Sequence, residues 1–284
     1  MSAARLTPSV CVTRSDAGSP RASLNRAILK GRLRAAFFME PTNLSSSPMN
    51  RRLSTVLPLL LCACAPMPSS VPADRGPWQN WQEFVLPGKR STVYETRSDG
   101  GRVVMHAQAD ASASMLRRKL RIDPAQIGRV QFSWRVASLI EQADLSDADV
   151  SDSPVRLVFA FDGDHGQLSA RNRMLFELAQ VLTGEPPPYA TLMYVWDNRA
   201  AAESVIRGPR TDRVRKIVLE SGPGQCGRWL HYERDLRADF RKAFGEEPGQ
   251  LIGVALMTDA DNTAAKSAGQ YGEVRVLGRD GRPL

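Results

Sequence analysis

A chain of 284 residues, 42% of them apolar, can bury a full hydrophobic core, and all-β domains often exceed 200 residues as one unit. The formal charge of +8 would point to nucleic acid if it were evenly spread. However, nine of the 38 basic residues and only two of the 30 acids lie in residues 1–63, which leaves 29 against 28 in the remainder. A near-neutral domain lacks the positive field that gathers phosphate backbones, so nucleic acid is excluded as the expected partner.

In chain order, residues 1–48 are rich in Arg and Ser, and residues 27–39 fit a basic amphipathic helix. Such a preface is awkward ahead of an export signal. The expected translation start is therefore Met49, or Met39, with 1–48 a mis-annotated or disordered extension; the alternative is a genuine segment that forms a membrane-surface helix. From Met49 the chain reads Asn50-Arg51-Arg52, then an apolar run from Leu53 to Leu61, then Cys62-Ala63-Cys64. A positive flank, a short apolar run and a small residue before the cut are the order of a secretory signal. The run is too short to span a bilayer, which takes roughly 20 residues. Leu61-Cys62-Ala63-Cys64 resembles a bacterial lipobox, although a cysteine at 62 departs from the usual pattern. Residues 49–63 are thus read as a lipoprotein signal peptide and Cys64 as the lipidated first residue. Several acyl chains, at about 0.8 kcal/mol per buried CH₂, anchor such a protein stably. Ala65 rather than Asp after the cysteine implies, by the enterobacterial sorting rule, the outer membrane facing the periplasm.

Residues 64–76, rich in Pro and Ser, read as a flexible tether, and 77–284 as a single domain. Of the four cysteines, Cys11, Cys62 and Cys64 lie in or beside the leader, so Cys226 has no partner for an internal disulfide.

Within the domain, short alternating runs recur with turns between them. Residues 92–97 and 102–109 flank Ser98-Asp99-Gly100-Gly101, a hairpin signal. Phe132, Trp134 and Val136 alternate with Ser133 and Arg135. Further strands are expected at 155–161, 190–196, 213–220, 229–234, 251–257 and 273–277. Two helices are expected. Residues 169–182 place Met174, Leu175, Leu178 and Leu182 at helical spacing before Gly184, and 235–244 align Leu236, Phe240 and Phe244 before Gly245. Strands outnumber helices and do not alternate with them, which argues against a parallel βαβ sheet. The expected fold is mainly β: an antiparallel β-sandwich, jelly-roll-like, with one or two peripheral helices.

The runs 84–89 (Phe-Val-Leu-Pro-Gly-Lys), 111–114 (Ala-Ser-Ala-Ser), 188–197 (Pro-Tyr-Ala-Thr-Leu-Met-Tyr-Val-Trp-Asp), 244–248 (Phe-Gly-Glu-Glu-Pro) and 258–263 (Thr-Asp-Ala-Asp-Asn-Thr) resemble the bacterial domain of unknown function numbered 3047. The resemblance covers about residues 80–278. It implies no activity and transfers no site residues.

Candidate chemistry comes from three groupings. Asp144, Asp147, Asp149 and Asp152, then Asp162-Gly163-Asp164, then Asp259 with Asp261-Asn262 offer the carboxylate and amide oxygens that calcium prefers, and loops at one end of a sandwich would bring two of these groups together. Their spacing is not that of an EF-hand, and the alternative is loop acids engaged in turns and caps. No cofactor is expected beyond such a structural Ca²⁺. The second grouping is aromatic and polar: Tyr189, Tyr194, Trp196, Trp229 and Tyr232, with Arg135 and His231 of suitable type to join them at a ligand pocket. Of these, Tyr194 and Trp196 share one face of their strand. The alternative places the large aromatics in the core. The third is the basic run Arg117-Arg118-Lys119-x-Arg121, read as an exposed strand edge or as a surface for anionic lipid or cell-wall polymer. No Gly-x-Ser-x-Gly elbow and no clustered His/Cys set is present. The sequence favours a non-catalytic envelope-anchored module that binds a glycan or a protein. Its rival is a glycan-active hydrolase or lyase, which needs two facing carboxyl groups.

Overall fold

The computed structural model describes residues 75–284. The extension 1–48, the signal segment 49–63, Cys64 and nearly all of the tether lie outside the described residues. In chain order the strands are β1 (Gln82–Val85), β2 (Val93–Asp99), β3 (Arg102–Asp110), β4 (Ala113–Ile122), β5 (Ile127–Val136) and β6 (Ser153–Phe161). Helix α1 (Ala170–Thr183) follows. Then come β7 (Ala190–Asp197), β8 (Val205–Arg207), β9 (Val214–Ser221), β10 (Leu230–Asp235), helix α2 (Leu236–Phe244), β11 (Leu251–Asp259), β12 (Lys266–Tyr271) and β13 (Arg275–Gly278).

These strands form two sheets packed face to face. The seven-stranded sheet has the order β1-β4-β11-β6-β7-β9-β8; the six-stranded sheet has the order β10-β5-β12-β3-β2, with β13 also paired to β5. The sandwich and its two peripheral helices match the sequence expectation, with one local difference: β7 and β9 run parallel. The excursion that carries β8 re-enters the sheet in the same direction as β7, and β8 then pairs antiparallel to β9.

Alternation explains the layers. In β5 the burial pattern strictly alternates from Val130 onward, so Phe132, Trp134 and Val136 enter the core while Gln131, Ser133 and Arg135 face outward. β6 is buried on both faces along nearly its whole length because it lies mid-sheet under a covering loop. Phe132 and Tyr194 stack across the two sheets with centroids 5.7 Å apart. The hairpin of β2 and β3 closes on Gly100 and Gly101, at φ 57° and 78°, the pair of positive φ values that a two-residue type I′ turn requires.

The helices differ in role. α2 seats Leu236 and Phe240 in the core, with Phe240 against Phe161, and so closes the sandwich beside β5 and β9. α1 is capped by Ser169, whose hydroxyl accepts from the Asn172 amide N–H. Met174, Leu178 and Leu182, at helical spacing in the sequence, face solvent rather than the sheet, and Leu175 is half-buried. The side turned to the protein holds Asn172, Phe176, Ala179 and Thr183. Asn172 there donates to Asp212 and accepts from Thr211. Polar ties to the 207–212 loop thus decide the helix's orientation. The basic run lies on β4, which β1 covers only over 114–117, so the edge beyond is open.

Candidate functional site

The main concavity, about 920 Å³, lies on the outer face of the six-stranded sheet, a size ordinary for a ligand site. Its floor follows from strand parity. β10 pairs with β5 so that His231 is opposite Ser133 and Glu233 opposite Gln131, and all four point outward because Leu230 and Tyr232 pack inward against the core. The turn between β12 and β13 adds Glu273, and β13 adds Arg275. The β2–β3 hairpin makes one wall. From its tip Asp99 accepts a hydrogen bond from the Trp229 indole at 2.6 Å and pairs with Arg135 at 3.2 Å. The Arg135 guanidinium sits 5.0 Å from the centre of the Trp229 ring and donates to Gln270 at 2.5 Å. Trp229 is thereby held half-buried in the lining of the groove.

The charges of the lining balance: Asp99, Glu233 and Glu273 against Arg102, Arg135 and Arg275. Glu233 accepts from Arg129 at 2.6 Å and from Gln131 at 2.8 Å. Hydrogen bonds from Gln131 and then Arg129 hold its carboxyl below the usual carboxylate range. Glu273 is engaged by Arg275 at 2.6 Å. Both carboxylates are exposed and engaged by these donors, and they offer their oxygens to the groove floor as hydrogen-bond acceptors.

The predicted ligand residues separate into two pairs. Arg135 and His231 line the groove. Tyr194 and Trp196 do not: they are 0% and 1% exposed, on the inner face of β7. There the Tyr194 hydroxyl donates to Asp239 at 2.7 Å and the Trp196 indole to the Gly222 carbonyl at 2.9 Å. Satisfied polar tips on buried rings are the core solution for large aromatics. Trp229, from the same aromatic grouping, also lines the groove, and Asp99 and Gln131 complete it without having been singled out as ligand residues. Parity separates the aromatics: Trp229 is in step with His231 and Glu233, whereas Tyr194 is in step with Leu192.

Two of the three acidic groups are brought together, Asp152 with Asp259 and Asp261, while Asp162 and Asp164 stand apart. β11 is antiparallel to β6, with Leu251 beside Phe161 and Asp259 beside Ser153. Asp162 therefore sits at the far end of this strand pair from Asp259, about 25 Å away at the rise of a strand. Asp162 and Asp164 receive local turn bonds from Gly163 and Gly166. Asp259 and Asp261 instead meet Asp152, with carboxylate oxygens within 4.8 Å of one another. Donors already occupy that trio. Asp259 takes two bonds from Arg156, both 2.8 Å, and one from the Ser153 N–H. Asp152 takes bonds from the Asn262 and Thr263 backbone and side chains, and Asp261 pairs with Lys89. Burial pushes the Asp259 carboxyl up, against the pull of Arg156. Asp259 and Arg156 form a buried ion pair that ties β6 to β11, with the Asp152 and Asp261 carboxylates beside it. Cys226 is half-buried, and burial pushes its thiol up, away from the range of an activated nucleophile.

Residues 79–275 match the family described as Protein of unknown function (DUF3047). The chain belongs to this family. The match spans the sandwich from just before β1 to the start of β13, so the groove lies within the family's domain. No curated protein matches the sequence. Among solved structures, a family 11 carbohydrate-binding module of a cellulosomal cellulase from Clostridium thermocellum aligns at TM-score 0.36 and 10% identity, covering 70% of this chain and 88% of that one. The xyloglucanase domain of NopAA from Sinorhizobium fredii aligns at TM-score 0.38 and 9% identity, covering 70% and 92%. Likenesses at this level carry no statement about what this chain binds.

Proposed function

We propose that this DUF3047 domain is a non-catalytic binding module that holds a neutral, hydroxyl-rich ligand, of the kind an envelope glycan presents, in the groove on its six-stranded sheet. In the same proposal, the lipid on Cys64 keeps the domain at the bacterial envelope. The observation that carries the reading is the composition of the groove. One indole, fixed by Asp99 and Arg135, sits among side chains that donate and side chains that accept, with charges that cancel. Uncharged polyols suit such a surface, because each hydroxyl both donates and accepts. A polyanion would meet three carboxylates. The engagement of Glu233 by Arg129 and Gln131 and of Glu273 by Arg275 supports binding over hydrolysis or lysis, which needs a carboxyl group placed to give its proton to the leaving oxygen.

The test is a screen of the full-length protein, purified in detergent, against envelope and cell-wall oligosaccharides, with affinity measured by calorimetry. Trp229→Ala and Arg135→Ala are expected to weaken binding by at least about tenfold, the loss typical of a central aromatic or Arg contact, with unchanged far-UV circular dichroism. Glycan binding that survives both substitutions would remove the groove from consideration.

A further inference from the structure

Helix α1 carries an apolar surface that has no partner among the described residues. Met174, Leu178, Val181 and Leu182 are 63%, 55%, 82% and 60% exposed. Their spacing of i, i+4, i+7 and i+8 sets them side by side on one face. A contiguous exposed apolar face of this kind marks a contact surface, whereas single exposed residues are normal. We infer that this face of α1 docks on an anionic phospholipid bilayer as a second membrane contact for the domain.

Charge complementarity selects a bilayer over other occupants. Arg171 and Arg173 on the first turn of α1, Arg207 at the end of β8 and Arg210 on the loop after it are exposed at the N-terminal end of the helix that carries the apolar face. Arg171 donates to the Arg210 carbonyl and Arg173 to the Leu168 carbonyl. None of the four has a salt-bridge carboxylate among the described residues. Apolar side chains on a helix with such arginines at its end are the composition of an interfacial helix, in which apolar groups enter the acyl boundary and cations meet anionic headgroups. This inference adds to the groove reading and does not depend on it.

The test uses the full chain with vesicles of phosphatidylglycerol and phosphatidylethanolamine, or of phosphatidylcholine alone, all containing brominated acyl chains. Leu182→Trp places a reporter at an exposed position that the fold does not need. On anionic vesicles its fluorescence is expected to shift blue and be quenched. Quenching should fall by at least about threefold on phosphatidylcholine, and equally when Arg207→Glu and Arg210→Glu are added. Val181→Asp, at the most exposed position of the face, should abolish insertion with the thermal midpoint unchanged. Mass spectrometry of the same sample reports whether Cys64 is acylated, which separates failure of the anchor from failure of α1, and glycan affinity reports on the groove independently. Lack of quenching on anionic vesicles overturns the inference. So does quenching indifferent to the arginine reversals, or chemical cross-linking through α1 to a second copy or another protein in place of insertion.

Discussion

Lys216 shows what a single buried charge does to this fold. It is 3% exposed, beneath the loop that covers the outer face of the seven-stranded sheet, and it donates to the Leu145 carbonyl at 2.7 Å and to Ser151 at 3.0 Å. No carboxylate is within hydrogen-bonding reach of the ammonium. Burial, with the nearby Arg156 charge adding to it, lowers its pKa from 10.5 to about 7. The unfolded chain then binds more protons than the folded one between about pH 7 and 10.5, so this residue makes stability rise with pH across that window. Below pH 7 the lysine is charged in both states and its destabilising effect is complete. Lys216→Met keeps the stem and removes the charge. Its expected effect at pH 6 is a gain of about 1–3 kcal/mol, the range seen when poorly paired buried charges give way to apolar groups. By pH 10 the gain should vanish or reverse, because the Leu145 carbonyl has lost its donor. Urea unfolding at the two pH values measures this, and an equal effect at both would show that the ammonium is not the cause.

At the scale of elements, the β2–β3 hairpin links local backbone to the groove, because its turn positions Asp99 against Trp229 and Arg135. A Cβ added at Gly101 would meet no atom within 4 Å, so only the φ of 78° resists a side chain there. Gly101→Asn should therefore cost little, since Asn tolerates the left-handed region. Gly101→Val should cost about 1–2 kcal/mol, and it should speed amide exchange around Asp99 and weaken any ligand of the groove. Hydrogen exchange on residues 98–103 checks both, and equal effects from Asn and Val would refute the turn argument. This hairpin was legible in the sequence because its strands and its glycines agree. β12 was not. Its Lys-Ser-Ala-Gly-Gln-Tyr sequence has no apolar pattern because the strand passes so close to β6 that a Cβ at Gly269 would lie 2.4 Å from the Pro154 carbonyl oxygen. The site was half legible for a related reason. Alternation shows which residues share a face, and so it set Arg135 and His231 apart from their buried neighbours. It does not say which face meets the other sheet, and on β7 the aromatic side turned out to be the core.

For the whole molecule, the distribution of charge and of apolar surface bears on how the domain meets its surroundings. The buried clusters of the described residues are built from residues 78–276. The lipid-anchor proposal then predicts that Cys64 governs location and leaves folding alone. In a native host, Cys64→Ser should accumulate as an uncut precursor, take up no labelled palmitate, and show the same thermal midpoint as the parent protein. The membrane association that remains should be of a different physical kind. Acyl burial is an apolar interaction that salt does not screen, whereas the attraction of Arg171, Arg173, Arg207 and Arg210 to headgroups fades once the Debye length drops to about 3 Å near 1 M salt. The parent protein should stay on membranes through a 1 M salt wash. A leaderless protein that starts at residue 65 should be released by it, because α1 alone would hold that protein. A Cys64→Ser chain that is still cut after Ala63 and remains on salt-washed membranes would sink the anchor, while the behaviour of the leaderless protein reports on α1 regardless of that outcome.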